Sequence, residues 1–131
     1  MDSVMFRSVH PESGFRGVFE DDGRAAYLYL ANSSGVVADV WLYNHGPAPD
    51  LEEFSRKENL PFRNPREFIS EETVVPVKDG RDLGFEWILD PGRVSLRLRI
   101  RGVLFATLSP GEKPGRSRLA VQDGPVAKVL K

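Results

Sequence analysis

The sequence predicts a mostly β domain, with two antiparallel three-stranded meanders forming a sandwich or strongly curved sheet and one or two short helices in the middle segment. Three observations predict it. Val94-Ser95-Leu96-Arg97-Leu98-Arg99-Ile100-Arg101 alternates apolar with polar residues, the period of a half-buried strand. Asp22-Gly23 and Pro91-Gly92 are tight-turn signals, each set between runs of strand-forming residues. Pro47, Pro49, Pro61 and Pro65 crowd the interval between the two blocks, too many for a central strand.

The first meander spans residues 15–44. Phe15 to Asp21 pairs with Arg24 to Ala31 across Asp22-Gly23, whose residues tolerate the positive φ of a hairpin turn. With Asp21 facing Arg24, one face gathers Phe15, Gly17, Phe19, Ala26, Leu28 and Leu30. A three-residue loop, Ser33-Ser34-Gly35, then sets Asn32 opposite Val36, Leu28 opposite Val40 and Leu30 opposite Ala38. A one-residue slip would send every side chain to the wrong face.

The middle segment, residues 45–82, offers two helix starts. Asp50-Leu51-Glu52-Glu53 resembles a capping box, and Asn64-Pro65 is a cap followed by proline at the first helical position. Val74 to Lys78 reads as a short edge strand. The second meander, residues 83–108, consists of Leu83 to Leu89, Val94 to Arg101 and Val103 to Leu108. Residues 109–131 form a tail with a strand signal at Pro125 to Leu130. Leu28, Leu30, Val40, Leu42, Trp87, Leu96, Leu98 and Phe105 are the expected core. Leu104, Ala106 and Leu108 are expected on the arginine face, covered there by the tail or a second subunit.

At 131 residues the chain is expected to form one domain with one core. It has no cysteine, which excludes disulfides, thiolate metal sites and cysteine nucleophiles. Neither a signal-peptide run nor a stretch of ~20 apolar residues is found, so a cytoplasmic location and no membrane partner are expected. The net charge of −1 conceals an asymmetry: residues 1–92 hold 9 basic and 17 acidic side chains, residues 93–131 hold 9 and 2. If Leu89 faces Val94, however, Asp90 faces Arg93, Glu86 faces Arg97 and Asp82 faces Arg101. The arginine row is then neutralised by its neighbour, and nucleic acid is not expected as a partner. Only Arg99, opposite Gly84, is left without an acid.

Several stretches resemble a family of small bacterial proteins that carries a domain of unknown function. They are Glu12-Ser13-Gly14-Phe15, Val18-Phe19-Glu20-Asp21-Asp22-Gly23, Ala26-Tyr27-Leu28-Tyr29, and Asp39 with Leu42-Tyr43-Asn44. Phe85-Glu86-Trp87 and Arg101-Gly102-Val103 match more loosely. The resemblance implies a bacterial origin and the double meander. It implies no activity, cofactor or site residue, and the segment from His45 to Arg81 is longer than the family usually carries, as an insertion would be.

Chemistry-bearing patterns are few. Glu20-Asp21-Asp22 lacks calcium-loop spacing and is explained by turn chemistry, so no metal is expected. Tyr27, Tyr29, Trp41 and Tyr43 share the face opposite the first core, either buried under the middle segment or offered to a partner. His45 opens the proline-rich segment at a strand end, a placement common for functional side chains. No G-x-S-x-G elbow or phosphate loop accompanies it, so no catalytic residue and no cofactor are assigned. The candidate binding residues are therefore Tyr27, Tyr29, Trp41, Tyr43, His45 and Arg99. A non-catalytic binding or protein-interaction domain is the leading expectation. A small hydrolase or ligand-binding enzyme with a cleft near His45 comes second, and a structural homo-oligomer third.

Overall fold

A computed structural model describes residues 3–54 and 60–130. The first sheet has the order β1 (Val4–His10), β2 (Phe15–Asp21), β3 (Ala25–Asn32), β4 (Gly35–Asn44), all antiparallel. The second has the order β5 (Leu83–Asp90), β6 (Arg93–Ile100), β7 (Val103–Leu108), β8 (Arg116–Ser117), β9 (Lys128–Val129), antiparallel except for the parallel β8/β9 pair. The mostly β expectation holds, but the sheets have four and five strands rather than three each. The added β1 turns Phe6, Ser8 and His10 inward and exposes Met5, Arg7 and Val9. Polar residues inside and apolar ones outside give it no readable alternation.

The first hairpin turns one residue later than expected. Gly23 and Arg24 are the central pair, Asp22 N–H donates to the Ala25 carbonyl, and Asp21 faces Ala26 rather than Arg24. Gly23 takes the positive φ of 89° at the first central position, as a II′-type turn requires. The Asp22 carboxylate accepts from the Arg24 and Ala25 N–H groups, drawing the turn around itself. The pairing moves by two, so every side chain keeps its face.

At the next turn Asn32 pairs with Gly35, not Val36, leaving a two-residue loop. A bulge between Leu30 and Ala31 absorbs the difference, and Leu28 and Leu30 meet Val40 and Ala38 as the apolar pattern requires. A second irregularity leaves Leu42 unpaired, because Tyr27 faces Trp41 while Ala26 faces Tyr43. Tyr43 therefore leaves the face of Tyr27 and Tyr29 and joins Phe19 on the core side, ring centroids 6.4 Å apart.

The β5/β6 register is the one the charges specify: Glu86 faces Arg97, Asp90 faces Arg93, and Phe85, Trp87 and Leu89 face Leu98, Leu96 and Val94. On β7 a bulge at Phe105 places Ala106 opposite Leu98 and Leu108 opposite Leu96, both fully buried. The expectation that Leu104, Ala106 and Leu108 share the arginine face is thus wrong for Ala106 and Leu108; only Leu104 faces Arg99. Of the expected core, Trp87 alone is half-buried; its indole N–H donates to Ser8 Oγ at 3.0 Å.

The sheets pack face to face. A Cβ on Gly17 of β2 would lie 2.5 Å from Leu96 Cδ2 of β6. The tail crosses the β4 edge, with Gly111 N–H donating to Val37, Asp39 N–H to Glu112, Gly115 N–H to Asp39 and Trp41 N–H to Val126. This covers an edge that would otherwise offer unpaired backbone groups.

The middle segment forms no α-helix among the described residues. At Asp50-Glu53 the carboxylate expected to close a capping box goes elsewhere: Glu53 is buried against Arg24 and Arg63, and Leu51 is exposed. At Asn64-Pro65 only a 3-10 turn follows, Arg66–Phe68. The Asn44 amide takes the Asn64 backbone instead, donating to its carbonyl and accepting from its N–H at 2.8 and 2.9 Å. Residues 74–78 do not join a sheet, and a second 3-10 turn, Gly80–Asp82, leads into β5. The strand signal of the last residues is realised only at Lys128–Val129.

Gly115 packs where a Cβ would lie 2.6 Å from both the Thr107 carbonyl oxygen and Leu108 Cδ1. Backbone cannot yield there, so Gly115→Ala is expected to destabilise by ~1–3 kcal/mol in urea denaturation. Gly84→Ala meets only Arg99 Cβ, at 3.6 Å, and is expected to leave stability unchanged or raise it by up to ~1 kcal/mol.

Candidate functional site

His45 lies one residue beyond β4, where its N–H donates to the Arg24 carbonyl across the sheet end. Its Nε2 is 2.6 and 2.8 Å from the two oxygens of Asp21, the last residue of β2. A nitrogen so close to both carboxylate oxygens is the donor, which assigns the proton to Nε2. The Asp21 carboxylate is buried and also accepts from Gly23 N–H at 2.9 Å and Tyr43 O–H at 2.7 Å. Tyr43 O–H in turn accepts from Val77 N–H at 2.9 Å. Burial pushes the Tyr43 phenol far above its ordinary range, with Asp21 adding to the shift and the Val77 N–H opposing it. The phenol thus stays protonated and remains a donor to Asp21.

This network forms one end of a cleft of about 650 Å3. One wall is the chain from Asn44 to Ala48, the other is Ile69 to Val74 with Pro76, and Trp41 and Leu119 line it between them. The second wall is pinned by the tail, through Ser70 N–H to the Leu119 carbonyl and Val121 N–H to the Phe68 carbonyl. His45 is the functional group best placed in it: about 29% of its side chain is exposed, and Nδ1 has no partner among the described residues. Once Nε2–H is committed to Asp21, Nδ1 can accept a hydrogen bond or take a proton.

The tyrosine and tryptophan side chains are distributed differently. Trp41 is fully buried and donates from Nε1 to Asn44 Oδ1. Tyr27 is buried, with its hydroxyl donating to the Phe62 carbonyl at 2.6 Å. Tyr29 is half-buried beside it, the rings nearly parallel with centroids 5.9 Å apart. Together with Asp39, Phe62, Lys113 and Val126 these two tyrosines line a second pocket of about 320 Å3. The middle segment covers part of the face, so it is not one open surface, and Tyr43 is not on it.

Arg99 does face Gly84, but it is not without an acid: its Nε donates diagonally to Glu86 Oε1 at 2.6 Å. Arg101 pairs with Asp82 at 3.4 Å. None of the arginine row lines either pocket. Among the described residues no group of three or more His, Asp or Glu could hold a metal ion, and no helix is long and apolar enough to cross a membrane. No family model, curated protein or solved structure matches the chain.

Asp21 and Asn44 are the site residues that sequence reasoning passes over. The first was explained as turn chemistry, and the turn does use it; the second carboxylate oxygen, facing Tyr43 and His45, left no trace in local spacing.

Tyr43→Phe removes a donor from buried Asp21 and the acceptor of Val77 N–H, and is expected to cost ~1–3 kcal/mol in urea denaturation. Glu53 gives a pH-dependent counterpart. Its burial opposes ionisation, but hydrogen bonds from Arg63 and the charges of Arg63 and Arg24 outweigh this and hold the carboxyl below its ordinary range. A lowered value stabilises the fold above the ordinary carboxylate range, an effect lost as pH falls through the folded value. Glu53→Gln should therefore lower the melting temperature at pH 7, with the difference shrinking below about pH 4.

Proposed function

We propose that this chain is a non-catalytic protein-interaction domain that receives an extended segment of a partner in the cleft beside His45. The observation that carries the reading is the second wall. The N–H groups of Thr73 and Val74, both of which line the cleft, have no hydrogen-bond partner among the described residues, and the flanking chain is fixed by the tail and by Val77 N–H to Tyr43. Backbone with open amides can pair with an incoming strand, while side-chain subsites supply selectivity. His45 Nδ1, oriented by a buried carboxylate, would accept from the partner, and Trp41 and Leu119 give the cleft an apolar floor.

The same histidine favours a second reading, a small hydrolase in which His45 is a general base aligned by Asp21. A serine, aspartate or glutamate within reach of His45 is what such a site needs, and Asp21 meets that condition. A panel of ester, phosphoester and peptide substrates compared between the wild type and His45→Gln separates the two: turnover lost in the variant supports the hydrolase.

The interaction reading is tested with a library of unstructured peptides titrated by amide NMR. Bound peptide should shift the resonances of Thr73, Val74 and His45. Thr73→Pro deletes one of these amides at an exposed position on the cleft wall, and should weaken binding at least tenfold without lowering thermal stability. Peptides that bind elsewhere, or equally well to Thr73→Pro, would sink the reading.

A further inference from the structure

The second pocket presents a different chemistry from the cleft. Asp39 and Tyr29 are directly opposite each other on β4 and β3, so the carboxylate sits at the edge of the Tyr29/Tyr27 pair. Phe54 and Phe62 meet edge to face, centroids 5.3 Å apart, and close the apolar side with Pro61. The opposite rim is the tail, joined to Asp39 by backbone bonds from Gly115 N–H and to Glu112, which places Lys113 beside it. The pocket thus has aromatic walls, one half-buried carboxylate and one exposed ammonium.

Asp39 and Lys113 do not form an ion pair, and neither side chain has a hydrogen-bond partner among the described residues. Burial pushes the Asp39 carboxyl above its ordinary range, opposed by the Lys113 charge. A half-buried carboxylate without a donor is costly, and an ammonium that hydrogen-bonds to it removes that cost. A quaternary ammonium could not donate. The lysine calls for the opposite charge nearby, and the walls call for an apolar body. The volume is at the small end of the ~300–1,000 Å3 typical of ligand pockets.

We propose that this pocket binds a free α-amino acid with an aromatic side chain, its ammonium on Asp39, its carboxylate on Lys113 and its ring against Tyr29 and the Phe54/Phe62 pair. Each polar group of the ligand supplies the partner that a pocket residue lacks. The site is separate from the cleft beside His45 and does not depend on a partner protein there.

Calorimetric titration of the full chain with L-phenylalanine, phenethylamine and 3-phenylpropionate tests the assignment. L-Phenylalanine should bind saturably, and the two analogues, each lacking one charge, at least tenfold more weakly. Asp39→Asn should weaken L-phenylalanine about tenfold or more and leave 3-phenylpropionate unchanged or tighter. Lys113→Gln, at an exposed position that does not endanger folding, should weaken L-phenylalanine and spare phenethylamine. Absence of L-phenylalanine binding to the wild type overturns the proposal. So does equal binding of all three probes that Lys113→Gln leaves unchanged, the behaviour of a merely apolar cavity.

Discussion

The carboxylate of Asp21 holds together parts of the chain that local structure would leave apart. It ends β2, caps the turn into β3 through Gly23 N–H, takes the hydroxyl of Tyr43 from the end of β4 and fixes His45 beyond it. Tyr43 passes the constraint on to Val77 in the middle segment. A buried carboxylate is tolerated only when its lone pairs are filled, so these donors are placed by necessity. The cleft inherits its shape from the arrangement: both its His45 end and the anchor of its second wall run through the same two oxygens.

Two strand irregularities decide what each face of the sandwich carries. The unpaired Leu42 turns Tyr43 inward toward Phe19 and leaves Tyr27, Tyr29 and Asp39 outside, where the smaller pocket forms. The bulge at Phe105 does the converse on β7, bringing Ala106 and Leu108 under Leu98 and Leu96. Bulges change which side a residue faces without changing its neighbours in sequence, so each relocates a side chain by one face at little cost in pairing. Without the first, Tyr43 could not reach Asp21. Without the second, Leu98 and Leu96 would face Phe105 and Thr107 instead.

The tail and middle segment complete the fold by bonding rather than by forming regular elements. Residues 111–115 and 126 cover the β4 edge, and Asn44 uses its side-chain amide as a backbone substitute to hold Asn64. Glu53 of this segment is held by Arg63, its neighbour in the segment, and by Arg24 of the β2/β3 turn. The proline-rich segment is therefore ordered by partners distant in sequence. That is why its cap-like motifs, Asp50-Leu51-Glu52-Glu53 and Asn64-Pro65, do not become helices.

By itself the sequence determined the β class, the β5/β6 register and the apolar face of β3 and β4. These rest on alternation and on cross-strand charge pairs such as Asp82 with Arg101, which act between near neighbours. It also singled out His45 and the tyrosine-rich face. Only the tertiary structure decided that β1 joins the first sheet, that Arg99 turns to Glu86, that the tyrosines divide between core and pocket, and that Asp21 meets His45. Each of these depends on a bulge or on a contact between residues far apart in the chain. Local spacing carries no record of such contacts, because their energy exists only once both partners have been brought together.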